Sequence, residues 1–228
     1  MKKDYVLIGN VKLGKNVKIE NGVKVYGPVT IGNNTYIGSN SIIGFPMLEN
    51  LKSCIKGVSE KKFETIIGDN CMIYSNVNIY ENVKIGDNVN VFHNALIREE
   101  TVIGDNCIIG TNSVLDGYIK IGKNVLIHSS SYICSHSKIG NQVFIGPGVK
   151  FANEKTAKSR ISLKEKMPKF KGPIIEEKVC VGAGAIILPA IRLRRESFIG
   201  AGAVVTKDTK PNMVYTGIPA KKLKERDF

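Results

Sequence analysis

The chain has 228 residues, 43% of them hydrophobic, with no Trp and only 7% aromatic, so any core must be aliphatic. A formal charge of +13 asks for an anionic partner (nucleic acid, an acidic membrane or a phosphate-rich small molecule), or else describes a lysine-rich solvated surface. The opening MKKDYVLIGN lacks an apolar signal core and no run of 18 apolar residues occurs, which predicts a cytoplasmic chain without helical membrane spans. The five cysteines form no CxxC pair, which argues against a zinc knuckle and, in a cytosolic chain, against disulfides.

From the N-terminus, every sixth residue is aliphatic: Leu7, Leu13, Ile19, Val25, Ile31, Ile37 and Ile43. After a break over 44–66 the ladder resumes at Ile67 and keeps its period through Val91, Ile109, Ile127 and Ile145 to Phe151. A second break covers 152–174, and the ladder then runs from Ile175 through Val181, Ile187, Leu193 and Ile199 to Val205. Neither a helix nor a simple alternating strand repeats every six residues over such a length. With the ladder position called i, the residue at i+4 is small or β-branched (Val17, Thr35, Ser41, Cys71, Ala95, Cys107), as a narrow interior requires. At i+3 stands Asn (Asn10, Asn16, Asn34, Asn94, Asn112) or Gly (Gly22, Gly148, Gly184, Gly202), the residues that most easily take positive φ, so i+3 is predicted to be a corner. Many i+1 positions are Gly, as in Ile31-Gly32 and Ile103-Gly104.

Three hexads per coil give a triangular prism: an all-β, parallel β-helix of about nine coils over 1–209, followed by a C-terminal tail, 210–228. Each break carries the ladder forward by 24 residues, four hexads, so one whole coil is extruded each time and the phase survives. Counting faces places Ile43 and Phe151 on one face, so both loops, 44–66 and 152–174, are predicted to leave from one edge. Both are basic (Lys52, Lys56, Lys61, Lys62; Lys155, Lys158, Arg160, Lys164, Lys166, Lys169, Lys171), and long loops in a compact repeat are usually functional.

The pattern [LIV]-G-x-N-x-[small] resembles the hexapeptide-repeat acyltransferases, and the resemblance implies a left-handed coil, against the general right-handed rule for parallel crossovers. The closing VGAGAIILPA, FIGAGAVVTKD and YTGIPAKKL (within 181–223) are similar to the end of acetyl-CoA-dependent members. VFIGPGVKFANE (143–154) resembles a stretch of the nucleotide-amino-sugar N-acetyltransferases, and IIGFPMLENLKS resembles a loop of UDP-sugar acyltransferases of lipid A synthesis. The resemblance implies an acetyl-CoA-dependent transferase acting on the amine of a nucleotide-linked amino sugar. It also implies a homotrimer with active sites between prisms, and neither nucleic acid nor membrane as partner. An O-acetyltransferase on a sugar, serine or antibiotic hydroxyl shares the same signature, and a non-catalytic β-helix scaffold is the alternative from another class.

The three histidines differ in phase. His136 is at i+3, a corner position that His tolerates, and reads as structural. His128 is at i+1 and faces solvent. His93 is at i+2, where the related amino-sugar acetyltransferases place a catalytic His or Asn, and a near-neutral imidazole suits the general base. The i+2 residues of its edge, coil by coil, are Ser75, His93, Thr111, Ser129, Pro147, Ala183 and Ala201, a column of small residues except for the His. Its length from His93 to Ala201 is about 24 Å at the strand spacing, suited to extended coenzyme A. Ser129, Pro147, Ala183 and Ala201 are thus the candidate cofactor groove, with Lys207, Lys221 and Lys222, and Arg192, Arg194 and Arg195, meeting the phosphates. Asn94, Glu99, His128, Asn153 and Glu154 are the candidate acceptor contacts; the last two stand where the family has Asn-Asp. Related enzymes of a second kind put their His where this chain has Ser135. No metal is expected: a carbonic-anhydrase-like zinc site needs converging His ligands, and His93 and His128 lie two coils apart, about 10 Å.

Overall fold

The computed structural model describes residues 4–55, 64–155 and 170–226. Three parallel sheets form the faces of a left-handed prism of about ten turns, one more than the ladder alone counts. The first face has ten strands, from Val6–Ile8 through Lys150–Phe151 to Val204–Val205. The second has nine, from Val11–Leu13 to Arg192–Leu193, and the third has eleven, from Lys18–Ile19 through Asn90–Val91 to Lys221–Glu225. We call the edge between first and second faces the first edge, that between second and third the second edge, and that between third and first the third edge. Strands pair in register with those one coil on, as Asn90 with Ile108 and Val91 with Ile109.

Each ladder residue from Val25 on points inward and is buried, stabilising the coil by about 1.5–3 kcal/mol per large aliphatic side chain. Leu7 and Leu13, in the first coil with neighbours on one side only, remain 40% exposed. The i+4 residues share this interior, and their small polar atoms serve the turns. Ser113 Oγ donates to the His128 carbonyl at 3.0 Å and Ser131 Oγ to that of Gly146 at 3.1 Å. Cys107 Sγ does the same for Gly122. Burial pushes the Cys71 and Cys134 thiols up to about 11, so these are packing groups rather than nucleophiles.

The i+3 corners are left-handed: Asn16 (φ 56), Asn94 (φ 58) and Asn112 (φ 57), and also Glu100, Tyr118, Ser130 and His136. Asn10 is an exception, because the first coil turns instead at Gly9 (φ 76). The i+1 glycines answer to packing. A Cβ on Gly104 would lie 2.7 Å from the Gly122 carbonyl oxygen and 2.8 Å from its carbon, inside the next coil's backbone.

Both loops leave the first edge, as the phase predicts: Ile42–Phe45 and Lys150–Phe151 are on the first face, and Thr65–Ile67 and Ile174–Ile175 on the second. Ile67 re-enters opposite Ile31, and Ile175 opposite Ile139. The first loop holds a helix, Leu48–Ile55, that the repeat pattern could not show. It follows Pro46, carries Glu49 in its first turn, and is tied down by Glu81, whose Oε1 accepts the Met47 N–H (2.9 Å) and Asn50 Nδ2 (2.6 Å). The loop cations at 56, 61, 62, 158, 160, 164, 166 and 169 lie outside the described residues.

Beyond residue 209 the chain stays on the prism. Met213–Thr216 pairs in parallel with Phe198–Ile199, Tyr215 taking the place opposite Ile199, and Lys221–Glu225 returns antiparallel to it. Arg226 then crosses back over the Phe198 ring (5.8 Å) and donates to the carbonyls of Lys178 (3.1 Å) and Glu196 (3.2 Å). Among the described residues no helix is long and apolar enough to cross a membrane.

Candidate active site

The third edge is built by one repeated hydrogen bond: the i+3 N–H of each coil donates to the i+2 carbonyl of the coil before. Asn94 N–H reaches Ser75, Asn112 reaches His93, Ser130 reaches Thr111 and Gly148 reaches Ser129, at 2.8–3.2 Å. Gly184 and Gly202 continue it onto Pro147 and Ala183, each at 2.8 Å. The residues from Ser75 to Ala201 therefore stand in a single straight column, as their phase requires.

His93 is exposed on this column, its ring edge-on to Tyr74 (5.1 Å, 62°), which itself stacks on Phe92 (4.6 Å, 9°). Its ring nitrogens take no hydrogen bond among the described residues, so they are open to accept a proton. Beyond it lies a cleft of about 340 Å³ between Phe92 and His128, with Gly110, Thr111, Ile108 and Leu126 lining it. The cleft exists because Gly110 separates the two rings. A Cβ there would lie 2.5 Å from the Ser129 nitrogen, so the coil contact itself requires glycine. On the far wall, Ser129 N–H donates to His128 Nδ1 (3.0 Å), which places the hydrogen of the neutral ring on Nε2, toward solvent. Further along, a Cβ on Gly148, Gly184 or Gly202 would meet nothing within 4 Å, so these corners leave the main chain open to a ligand lying along the edge.

The structure gathers some of the expected residues and separates others. Asn94, Ser129, Pro147, Ala183 and Ala201 share the third edge with His93 and His128. Lys221 joins them at the far end: it pairs with Thr216, which packs where a Cβ on Gly200 would fall. Lys207 does not, because it follows Val205 onto the first edge, a face-width away. Arg192, Arg194 and Arg195 lie on the second face and edge, where Glu176 takes the guanidinium groups of Arg192 and Arg194 (3.2 Å each) and the backbone N–H of Arg195 (3.0 Å), whose own guanidinium lies 3.9 Å from Glu196. They are not at the end of the column.

Glu99, Asn153 and Glu154 are also on the first edge. Glu99 is buried and bidentate to Arg98 (2.8 and 3.2 Å), which also binds Asp116 (3.0 Å). Asp116 accepts the Tyr132 hydroxyl (2.9 Å), and burial together with that carboxylate pushes the phenol up to about 12. Asn153 Nδ2 donates to Ser135 Oγ (2.8 Å). Glu154 borders a second cleft of about 390 Å³ with Lys155, Leu188 and Ile191. The Tyr74–Phe92–His93 cluster and the Arg98–Asp116–Tyr132 chain do not show in the hexad pattern, though the aromatic residues Tyr74 and Phe92 at i+1 of successive coils are a signal of the first. Among the described residues no group of three or more His, Cys, Asp or Glu is placed to hold a metal ion.

The prism is the architecture of the hexapeptide-repeat transferases. Residues 10–44, 64–98 and 118–153 match the bacterial transferase hexapeptide family, and 82–117, 100–135 and 174–207 match the hexapeptide repeat of succinyl-transferase. The chain belongs to the hexapeptide-repeat transferase family. It is 47% identical over 57 residues to a galactoside O-acetyltransferase of Lactococcus lactis, covering 24% of this chain and 28% of that protein. It is 46% identical over 54 residues to a 2,3,4,5-tetrahydropyridine-2,6-dicarboxylate N-acetyltransferase of Alkaliphilus metalliredigens, covering 24% and 23%. These matches thus span about a quarter of each relative's length. A UDP-N-acetylglucosamine acyltransferase from Bacteroides fragilis shares the fold, with a TM-score of 0.51 at 16% identity over 98% of this chain and 74% of that one.

Proposed function

We propose that this protein is an acetyl-CoA-dependent acyltransferase whose acceptor is the amine of a nucleotide-linked amino sugar. One observation carries the reading: the straight third-edge column, with a free imidazole at one end, open main chain along its length and Lys221 at the other end. Acetyl-CoA laid along it would have its phosphates toward Lys221 and its thioester by the cleft between Phe92 and His128. The acceptor amine attacks the thioester carbon, forming the C–N bond while His93 takes the proton. The oxyanion is steadied by a corner N–H or the Asn94 side chain; on collapse the C–S bond breaks and the proton passes from His93 to the thiolate.

The remaining acceptor contacts, Glu99, Asn153 and Glu154, belong to the first edge and cannot reach His93 within one chain. A homotrimer resolves this by setting the first edge of one prism beside the third edge of its neighbour. The outward row of the third face supports such a contact, since Ile108, Leu126 and Phe144 follow one another in register before Arg226 covers Cys180 and Phe198. Phe144 is 37% exposed. A cytoplasmic setting fits a thioester donor and the free cysteines Cys71, Cys107, Cys134 and Cys180. The local match to a galactoside O-acetyltransferase favours a second reading, transfer to a sugar hydroxyl.

Thiol release with acetyl-CoA, measured against UDP- and dTDP-linked amino sugars and their hydroxyl-only counterparts, separates the two readings. Turnover with amines alone is expected; turnover with hydroxyls alone moves the protein to the second. His93→Ala should lower kcat by about 10²–10⁴-fold with the circular dichroism unchanged. Full activity in that variant removes His93 as the base and directs attention to Ser135 and His136.

A further inference from the structure

Between the two loops, the first edge abandons the asparagine rule. Its i+3 residues after Asn82 are Glu100 (φ 57), Tyr118 (φ 53) and His136 (φ 62), whereas the second edge keeps Asn from Asn16 to Asn124. A left-handed Tyr is costly for the backbone, and here burial does not offset the cost, since Tyr118 is 47% exposed. Its ring stacks on that of His136, one coil on, with centroids 5.2 Å apart and planes at 30°. Burial, followed by the nearby carboxylates of Glu99, Glu100 and Glu49, raises its phenol above the usual range. Glu99 is neutralised by Arg98, and Glu100 accepts one bond from Asn82 Nδ2 (2.6 Å), so the surroundings of the ring stay acidic.

We propose that Tyr118 and His136 form the acceptor platform, the apolar face of an amino-sugar ring lying on Tyr118 with its ammonium turned to Glu100, the corner residue one coil before. This rests on the acetyl-transfer reading for the acceptor's amine and assigns a role to residues that reading leaves idle. An aromatic face beside carboxylates selects a ring that is apolar on one side and cationic at one substituent. A neutral hexose lacks the ammonium.

Tyr118→Asn is a discriminating variant, because it installs the residue that neighbouring corners already use. We expect its thermal midpoint to stay level or rise, its KM for the amino sugar to rise at least tenfold, and its KM for acetyl-CoA to stay put. Tyr118→Phe should keep wild-type KM values. Saturation-transfer NMR with glucosamine and UDP-glucosamine, without acetyl-CoA, reads binding directly and should lose the ring-proton signal in Tyr118→Asn. Unchanged sugar binding in that variant overturns the platform, as does a common loss of stability and of both affinities. If the wild type releases no thiol but binds glucosamine through Tyr118, the platform stands and acetyl transfer falls. If the wild type binds neither sugar, the platform falls.

Discussion

Each hexad of the prism does three jobs with three residue types, and each type can be tested alone. The ladder aliphatic fills the core, the i+3 residue turns the chain through positive φ, and the i+1 residue must leave room for the next coil. The i+1 requirement is the strictest because the obstacle is main chain. Gly104→Ala would drive a methyl group into the Gly122 carbonyl, and neither coil can move without breaking its ladder. A loss of about 1–3 kcal/mol is expected, read from urea unfolding, whereas an Asn-to-Gly change at a corner such as Asn106 should be nearly neutral. At i+1 of the third edge the rule is broken by Tyr74, Phe92 and His128, which is where the candidate site lies.

At the scale of elements, two-residue strands have too few hydrogen bonds to stand alone; the stacked column is the stable unit. Local ion pairs then decide which coils let go first. Glu176 sits at such a place. Burial opposes its charge, but the Arg195 N–H and the Arg192 and Arg194 guanidinium groups outweigh it and hold its carboxyl below the usual 4.5. A lowered folded-state pKa means that this stabilisation is complete above about pH 4.5 and is lost as pH falls through the folded value. Hydrogen exchange at pH 4 to 2 should therefore show early opening around Ile174–Ile175 and Arg192–Leu193. Glu176→Gln should be less stable at pH 7 and flatten that part of the acid dependence; an unchanged profile would show that the pairs are too solvent-screened to matter. The arginines could be misread from sequence as ligand contacts because RLRRES and Glu176 are brought together only by the coil.

For the molecule as a whole, the hexad period decided nearly everything that a repeat can decide: three faces, parallel register, the edge from which both loops leave, and the column holding His93. With three hexads to a coil, phase alone assigns every residue to a face, whichever hand the coil takes. What it could not show is whatever breaks translational symmetry. The helix at Leu48–Ile55 sits within an excursion that has no period, and the Glu81 that anchors it looks like any other corner residue. Lys207 and Lys221 seem equivalent in the sequence, yet one turns onto the first edge while the other returns on an antiparallel strand. The stack of Tyr118 on His136 needs two coils in space before it can be seen.

The in-phase return of the loops has a consequence for how such a protein can be edited. Removing residues 154–171 joins Asn153 to Gly172, sets Ile175 six residues after Phe151, and leaves glycine in the left-handed corner and the buried Pro173 in the interior slot. The splice is silent to the core, so the shortened chain should express as a folded prism with its third-edge column intact, checked by circular dichroism and acetyl-CoA binding. A deletion of 17 or 19 residues should instead turn every later aliphatic residue out of the core and fail to fold. Excursions from this prism are thus interchangeable parts with a fixed reading frame, free to be lengthened by whole coils, traded or discarded while the framework that carries them stays the same.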